Sequence, residues 1–519
     1  RTMLTIVINL PIIVTAQWIQ LGNDIEGEAA GDYSGYSVAF SSDGSRVAVG
    51  AIANEASAGH VRVYDYTGGS WSQVGADIDG EAANDRSGNS VALSSDGSRV
   101  AIGAAYNDGT AADAGHVRVY QYVGGSWSQI GLDIDGEAAG DHSGYSVALS
   151  SDGSRVAIGA NWNDATGSNS GHVRVYNYTG GSWIQVGADI DGEAAADQSG
   201  TNVALSSDGL RVAIGAQYND GTAADAGHER VYDYTGGSWS QVGADIDGEA
   251  ANDQSGWSVA LSSDGSRVAI GAQYNDGTAA DAGHVRVYDY TGGSWIQVGA
   301  DIDGEAAGDQ SGYSVAFSSD GSRVAIGAYF NDGATGSNSG HARVYDYTGD
   351  SWIQVGADID GEAANDRSGW SVALSSDGSR AAIGAYNNYG SGVQSGHVKV
   401  YGLPPPPSSP PPFLPPSLPL PSSPPSSPPS PPPPLIAPPH QPLGHSAHSP
   451  PQPSSPPLLP PSLLLPLSST ATSGKEGSGP IVAIAVAVAG AALVLLVGTA
   501  VVYKRSQQWA AAKSTPARV

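Results

Sequence analysis

Trp239–Ser294 reads WSQVGADIDGEAANDQSGWSVALSSDGSRVAIGAQYNDGTAADAGHVRVYDYTGGS, and the stretch returns with small changes along most of the chain. Three of its pieces, Trp239–Val242, Ser258–Leu261 and His284–Tyr290, alternate apolar and polar residues as half-buried strands do. Arg267–Ile270 is more uniformly apolar, as befits a strand covered on both faces. Asp264-Gly265 and Thr291-Gly292-Gly293 supply hairpin turns between neighbouring pieces. Each unit is therefore four short antiparallel strands.

Trp18, Trp71, Trp127, Trp183, Trp239, Trp295 and Trp352 mark seven such units. Seven four-stranded units of this length predict an all-β, seven-bladed β-propeller over residues 17–403. A solenoid would need polar caps on its end repeats, and the sequence has none. A tryptophan strand precedes the first set of the other three strands, and none follows the last. Gln17–Leu21 is thus expected to close the ring as the outer strand of the seventh blade.

Composition divides the remainder. Thirty of the 33 prolines fall between Pro404 and Pro466, so residues 404–479 are predicted to form a disordered or polyproline II stalk, a semi-rigid spacer. Its Ser-Pro and Pro-Pro runs resemble the hydroxyproline-rich glycoproteins of plant and green-algal walls. Residues 480–503 include 23 uncharged residues from Ile481 to Tyr503, about 34 Å as a helix and enough for one membrane span. Lys504-Arg505 follow at once, which places the tail, 504–519, on the cytoplasmic side. Residues 1–16 end in Val14-x-Ala16 and read as a signal peptide. These features predict a single-pass type I protein of the plasma membrane, with the propeller outside the cell. Asn177-Tyr178-Thr179 is an N-glycosylation sequon.

The body carries 50 acidic and 16 basic side chains, a balance that excludes nucleic acid as a partner. Cysteine is absent, so no disulfide contributes. Strand parity sorts the connections: the turns after the first and third strands share one face and are minimal, whereas the other two connections are long and polar and share the opposite face. Every connection between units has the form Asp-Ile-[Asp/Glu]-Gly-Glu-Ala-Ala-x-Asp. Asp77, Asp79, Glu81 and Asp85, and likewise Asp245, Asp247, Glu249 and Asp253, stand at relative positions 1, 3, 5 and 9, as oxygen ligands of a looped Ca²⁺ site do. Solvated turn-forming acids are the other reading of the same residues. The seven Gly-His dipeptides of the repeats, with histidines from His60 to His397, read as structural, since equivalent histidines of separate blades lie far apart. The arginines of Ser-Arg-Val-Ala, such as Arg99 and Arg155, are expected to pair with acids between blades.

The differences among near-identical copies are informative. The residue after Ser-Gly is Tyr36, Asn89, Tyr145, Thr201, Trp257, Tyr313 and Trp370, and Trp162 is one of several aromatics early in the second long connection. Both sets are expected at the long-loop face near the channel, where aromatics beside polar groups suit recognition or blade-to-blade packing. No nucleophile motif or singular acid–base pair stands out, so a non-enzyme is expected.

The pattern G-x-S-V-A-[LF]-S-x-D…V-A-I-G-A…G-x-V-x-V-Y…W resembles the FG-GAP repeat, the blade unit of integrin-α type propellers, over residues 17–403. Phe-Gly of that repeat is Ser255-Gly256 here, and Gly-Ala-Pro is only Gly271-Ala272. The hairpin that carries calcium in integrin-type blades is Ser262-Ser263-Asp264-Gly265, with one carboxylate. The resemblance implies an adhesion-type domain that recognises an extracellular protein or glycan. A structural wall- or matrix-anchoring glycoprotein without a discrete ligand is the alternative, and a propeller glycosidase a third. The oligomeric state stays open.

Overall fold

Residues 17–404 are described by the computed structural model, and they form seven antiparallel sheets. In the fifth, the inner strand is Ser258–Leu261, the second Arg267–Ala272, the third His284–Thr291 and the outer Ser294–Gln297. The second strand is buried almost throughout, since it lies between two strands of its own sheet and between two neighbouring blades. Val268 and Ile270 on one face, and Ala269 on the other, belong to two different apolar clusters. The core is therefore a set of wedges, one at each blade boundary.

The outer strand does not end where the apolar pattern does. After Val298 N donates to Val287 O at 2.8 Å, the chain bulges through Gly299–Asp301 and pairs again, with Ile302 opposite Val285 and Asp303 opposite His284. The first acids of each connection thus lie on or beside the sheet rather than in an open loop.

Two devices tie blade to blade. Each repeat tryptophan donates its indole N–H to a main-chain oxygen of the preceding outer strand, as in Trp127 to Val74 and Trp295 to Val242, both at 2.8 Å. On the minimal-turn face, the serine before each Asp-Gly donates its amide to the equivalent serine of the next blade. The series runs Ser42, Ser95, Ser151, Ser207, Ser263, Ser319 and Ser376, then back to Ser42, each bond 2.8 Å. A circuit of this kind closes only if the ring closes.

Glycine is required where the blades meet main chain to main chain. A Cβ on Gly271 would stand 2.0 Å from Gly312 O, and Gly312 has φ +86°. Neither position admits another residue without displacing backbone.

The N-terminal segment completes the seventh blade as expected. Ile19 and Gln20 pair with Gly402 and Tyr401, and Ile25 and Glu26 pair with Val398 and His397. Trp18 Nε1 donates to Val355 O at 2.8 Å. The signal peptide expected at 1–16, and the stalk, membrane span and tail expected beyond Pro404, lie outside the described residues. No helix among the described residues is long and apolar enough to cross a membrane.

Candidate ligand-binding face

Each inner strand starts at the long-loop face, so the residue after Ser-Gly stands at the mouth of the channel. All seven of these residues line one cavity of about 240 Å³. Tyr36, Trp257, Tyr313 and Trp370 form a continuous aromatic arc: ring centroids are 5.3 Å apart for Tyr36–Trp370, 4.4 Å for Tyr313–Trp370 and 5.3 Å for Trp257–Tyr313. Tyr145 joins the lining from the far side, while Asn89 and Thr201 interrupt the ring. Asn89 Nδ2 donates to Tyr145 O at 2.9 Å. Burial first, and neighbouring phenols second, push the Tyr145 hydroxyl up to about 12. The same causes raise Tyr36 and Tyr313. These hydroxyls stay uncharged at neutral pH.

A second tier sits behind the arc and was not read from the sequence. Tyr329 and Tyr386 pack on Trp370 with centroids 5.0 and 4.4 Å away. Tyr329 Oη donates to Gln310 Oε1 at 2.7 Å, and Arg367 Nη1 hydrogen-bonds Tyr386 Oη. Gln310 and Arg367 belong to a series two residues before the Ser-Gly glycine that adopts φ near +55° in every blade, from Tyr33 to Arg367. The missed signal is variability at the position directly after Gly-Ala, where Ile52, Ala105, Asn161, Gln217, Gln273, Tyr329 and Tyr386 differ while their surroundings repeat. Trp162 is elsewhere: 43% exposed on the rim, it stacks on His142 at 4.4 Å.

The acids of one connection go to different neighbours. Asp77 Oδ1 accepts from Gln73 Nε2 at 2.5 Å, and Asp77 Oδ2 lies 3.9 Å from His60 Nδ1. The side chain of Asp79 is exposed, and its main-chain oxygen accepts from Arg118 Nη2 at 2.8 Å. Glu81 reaches the next blade, 3.3 Å from Arg118 Nη1 and 3.9 Å from His116 Nδ1. Asp85 is buried and accepts from Ala82 N at 3.0 Å and Asn107 Nδ2 at 2.8 Å. The fifth unit repeats this. Asp245 accepts from Gln241 at 2.6 Å, the main-chain oxygen of Asp247 accepts from Arg286 at 2.7 Å, Glu249 lies 3.4 Å from Arg286, and Asp253 accepts from Ala250 N and Asn275 at 3.0 Å. The acids of one loop do not gather around one point. Replacing Asp85 by Ala leaves the Asn107 amide without its partner in a buried site and should cost about 2 kcal/mol, read as a lower urea midpoint with an unchanged slope.

Each repeat histidine instead faces acids from two connections. His116 Nδ1 is 3.9 Å from both Glu81 Oε2 and Asp133 Oδ2, and His228 Nδ1 is 4.0 Å from both Glu193 and Asp245. Burial, then the adjacent Arg118, pulls His116 down to about 4, and His228 follows through burial and Arg230. The imidazoles are neutral at physiological pH.

The Ser-Arg-Val-Ala arginines correct one expectation. Arg99 and Arg155 donate to Gly153 O and Gly209 O of the next blade, at 3.0 and 2.8 Å, and lie over the Tyr178 and Tyr234 rings. They bridge blades through carbonyls rather than acids. Where the third strand carries Asp, the pair forms within the blade, as for Arg211 and Asp233 at 2.5 Å. Gln121 and Asn177 occupy the Asp position opposite Arg99 and Arg155, and Asn177 Nδ2 donates to Thr179 Oγ1 at 2.7 Å.

Comparison with known proteins adds the following. Among solved structures, hydrazine synthase of Kuenenia stuttgartiensis aligns at 14% identity over 73% of this chain and 96% of its own, with a TM-score of 0.45. A putative 6-phosphogluconolactonase from Bacteroides uniformis aligns at 13% identity over 63% and 86%, with a TM-score of 0.46. No curated protein matches the sequence. A family model described as FG-GAP repeat matches residues 133–176, which run from the bulge of the second blade to the third strand of the third, and the pattern matched there recurs around the ring.

Proposed function

We propose that the protein is a non-catalytic recognition protein whose propeller binds a glycan at the aromatic mouth of its channel. The observation that carries this reading is the placement of variation. Seven copies that agree at most positions differ after Ser-Gly, where all seven residues line that mouth, and after Gly-Ala, where Tyr329 and Tyr386 pack directly behind it. Half-buried rings lining the cavity beside neutral hydroxyls and amides suit the apolar faces and hydroxyl edges of sugars, and the carboxylates around the rim supply acceptors. Sevenfold repetition of the acids opposes a single asymmetric catalytic centre. The order of segments in the sequence supports display at the cell surface, with residues 404–479 holding the propeller away from a single membrane span.

The test is a glycan array with the full-length protein and its Trp257→Ala and Trp370→Ala variants. A ligand of the wild type should lose at least about tenfold in affinity in both variants, with circular dichroism unchanged. Undiminished binding by both variants, or binding of a protein partner alone in a surface pulldown, would refute the glycan reading.

A further inference from the structure

The histidine–carboxylate triads are distinct from the channel mouth. They recur with one chemistry: a glutamate from the connection entering a blade, and the histidine and first bulge aspartate of that blade. Glu81, His116 and Asp133 make one, and Glu137, His172 and Asp189 the next, each with ligand atoms within 4.8 Å of one another. The histidine is the closed floor, 1–2% exposed, and the carboxylates are partly open to solvent.

Two independent observations point to a cation as the ligand of these triads. The first is the histidine itself. His172 has no hydrogen-bond partner on either ring nitrogen, and His284 none on Nδ1 although that atom faces Asp301 at 3.8 Å. A buried imidazole nitrogen aimed at carboxylates yet beyond hydrogen-bond reach is costly unless something lies between them. Donors that share a tetrahedral cation of the zinc type stand about 3.3 to 3.5 Å apart, and the observed gaps of 3.8 to 4.0 Å are wider by about half an ångström, which the partly exposed carboxylates can close by rotation.

The second observation is the seventh junction, where the sequence departs from the repeat. Lys399 replaces the arginine found two residues after His116, and its ammonium pairs with Glu362 and lies 3.8 Å from Asp24 Oδ2, beside His397. Arg118 does not do this: its second nitrogen is held by Asp79 O, and it touches Glu81 only on the oxygen that faces away from His116. At this one junction the protein's own ammonium sits between the two carboxylates of the triad, Glu362 and Asp24.

We propose that the triads with an intact arginine, at six of the seven blade boundaries, each bind a first-row divalent cation of the zinc type through histidine Nδ1 and the two carboxylates. Neutral imidazole with carboxylate oxygens suits such ions better than Ca²⁺ or Mg²⁺, which take oxygen alone. Arginine orients the glutamate from outside the ligand set. Because Glu81 lies between blades while His116 and Asp133 belong to one of them, the ion would clamp adjacent blades together.

The experiment is equilibrium dialysis of the full-length, chelator-stripped protein against Zn²⁺ and, in separate runs, Co²⁺ and Ca²⁺. Zinc should bind at several equivalents and raise the melting temperature, and Co²⁺ should give visible absorption bands of a nitrogen- and oxygen-ligated ion. His116→Gln should remove one equivalent. Glu81→Gln, a change at a half-exposed side chain that leaves the core intact, should weaken that same site more than about tenfold. Absence of bound zinc, equal retention of Ca²⁺, or zinc stoichiometry unchanged in both variants would overturn the assignment.

Discussion

Replacing Glu229 by Val should stabilise the propeller by about 3 kcal/mol at pH 7, the sum of removing an unsatisfied buried carboxyl and adding apolar contact. The fourth blade reads His228-Glu229-Arg230 where most others read His-Val-Arg. Val61, Val117, Val173 and Val285 at this position are 0% exposed, and so is Glu229. Neither of its carboxyl oxygens finds a hydrogen-bond partner of good geometry. Burial raises this carboxyl well above its ordinary value, and the nearby Ile214 main chain and Arg230 offset only part of the effect. The folded state therefore holds the proton over a pH range in which the unfolded chain has released it. The sign follows: stability is fully present below the ordinary carboxyl range of about 4.3 and declines as pH rises from there toward the raised folded value. The advantage of Glu229→Val should be smallest near the acid end and widen toward neutrality. Urea denaturation of both proteins at acidic and neutral pH measures this, and coincident curves at neutral pH would contradict it.

Removing residues 17–26 should destabilise the fold by on the order of 5 kcal/mol, from lost apolar burial and edge hydrogen bonds. The ring itself would persist, because Ser376 N still donates to Ser42 O, Ser371 Oγ to Gly35 O and Arg380 Nη1 to Gly44 O. Lost instead are the Trp18 indole bond to Val355, the pairing of Leu21 N with Val400 O at 2.7 Å, and Ile25, which is 3% exposed in the core. The third strand of the seventh blade, His397–Gly402, would become an open edge. A peptide spanning 17–27 supplied in trans should restore much of the melting temperature by strand addition. A variant that melts like the parent would show that the segment does not act as a latch.

Much of this architecture is legible in the residues because each blade solves the same problem seven times. Period-two alternation identifies the strands, Asp-Gly identifies the hairpins, and one tryptophan strand too early with one too few at the end announces the latch. The mouth of the channel is legible for a related reason: copies that differ at a single position expose that position. Tyr329 and Tyr386 escaped because they stand one residue earlier in the connection than Trp162 and its equivalents, in the turn directly after the second strand, and only the packing of the blades brings them against Trp370.

Sequence spacing misleads where relationships cross a blade boundary. Asp77, Asp79, Glu81 and Asp85 look like one ligand set because they are close along the chain, yet the bulge after the outer strand and the return to pairing at Ile78 send them to separate neighbours. The histidines look isolated because equivalent ones are far apart, yet each meets a glutamate and an aspartate whose connections are distant in sequence. The amino-acid sequence determined the number of blades, their strand order and their closure, since those follow from local periodicity and from counting. Only the tertiary structure decided which acids meet which histidine, because packing one twisted sheet against the next brings together side chains that no local pattern relates.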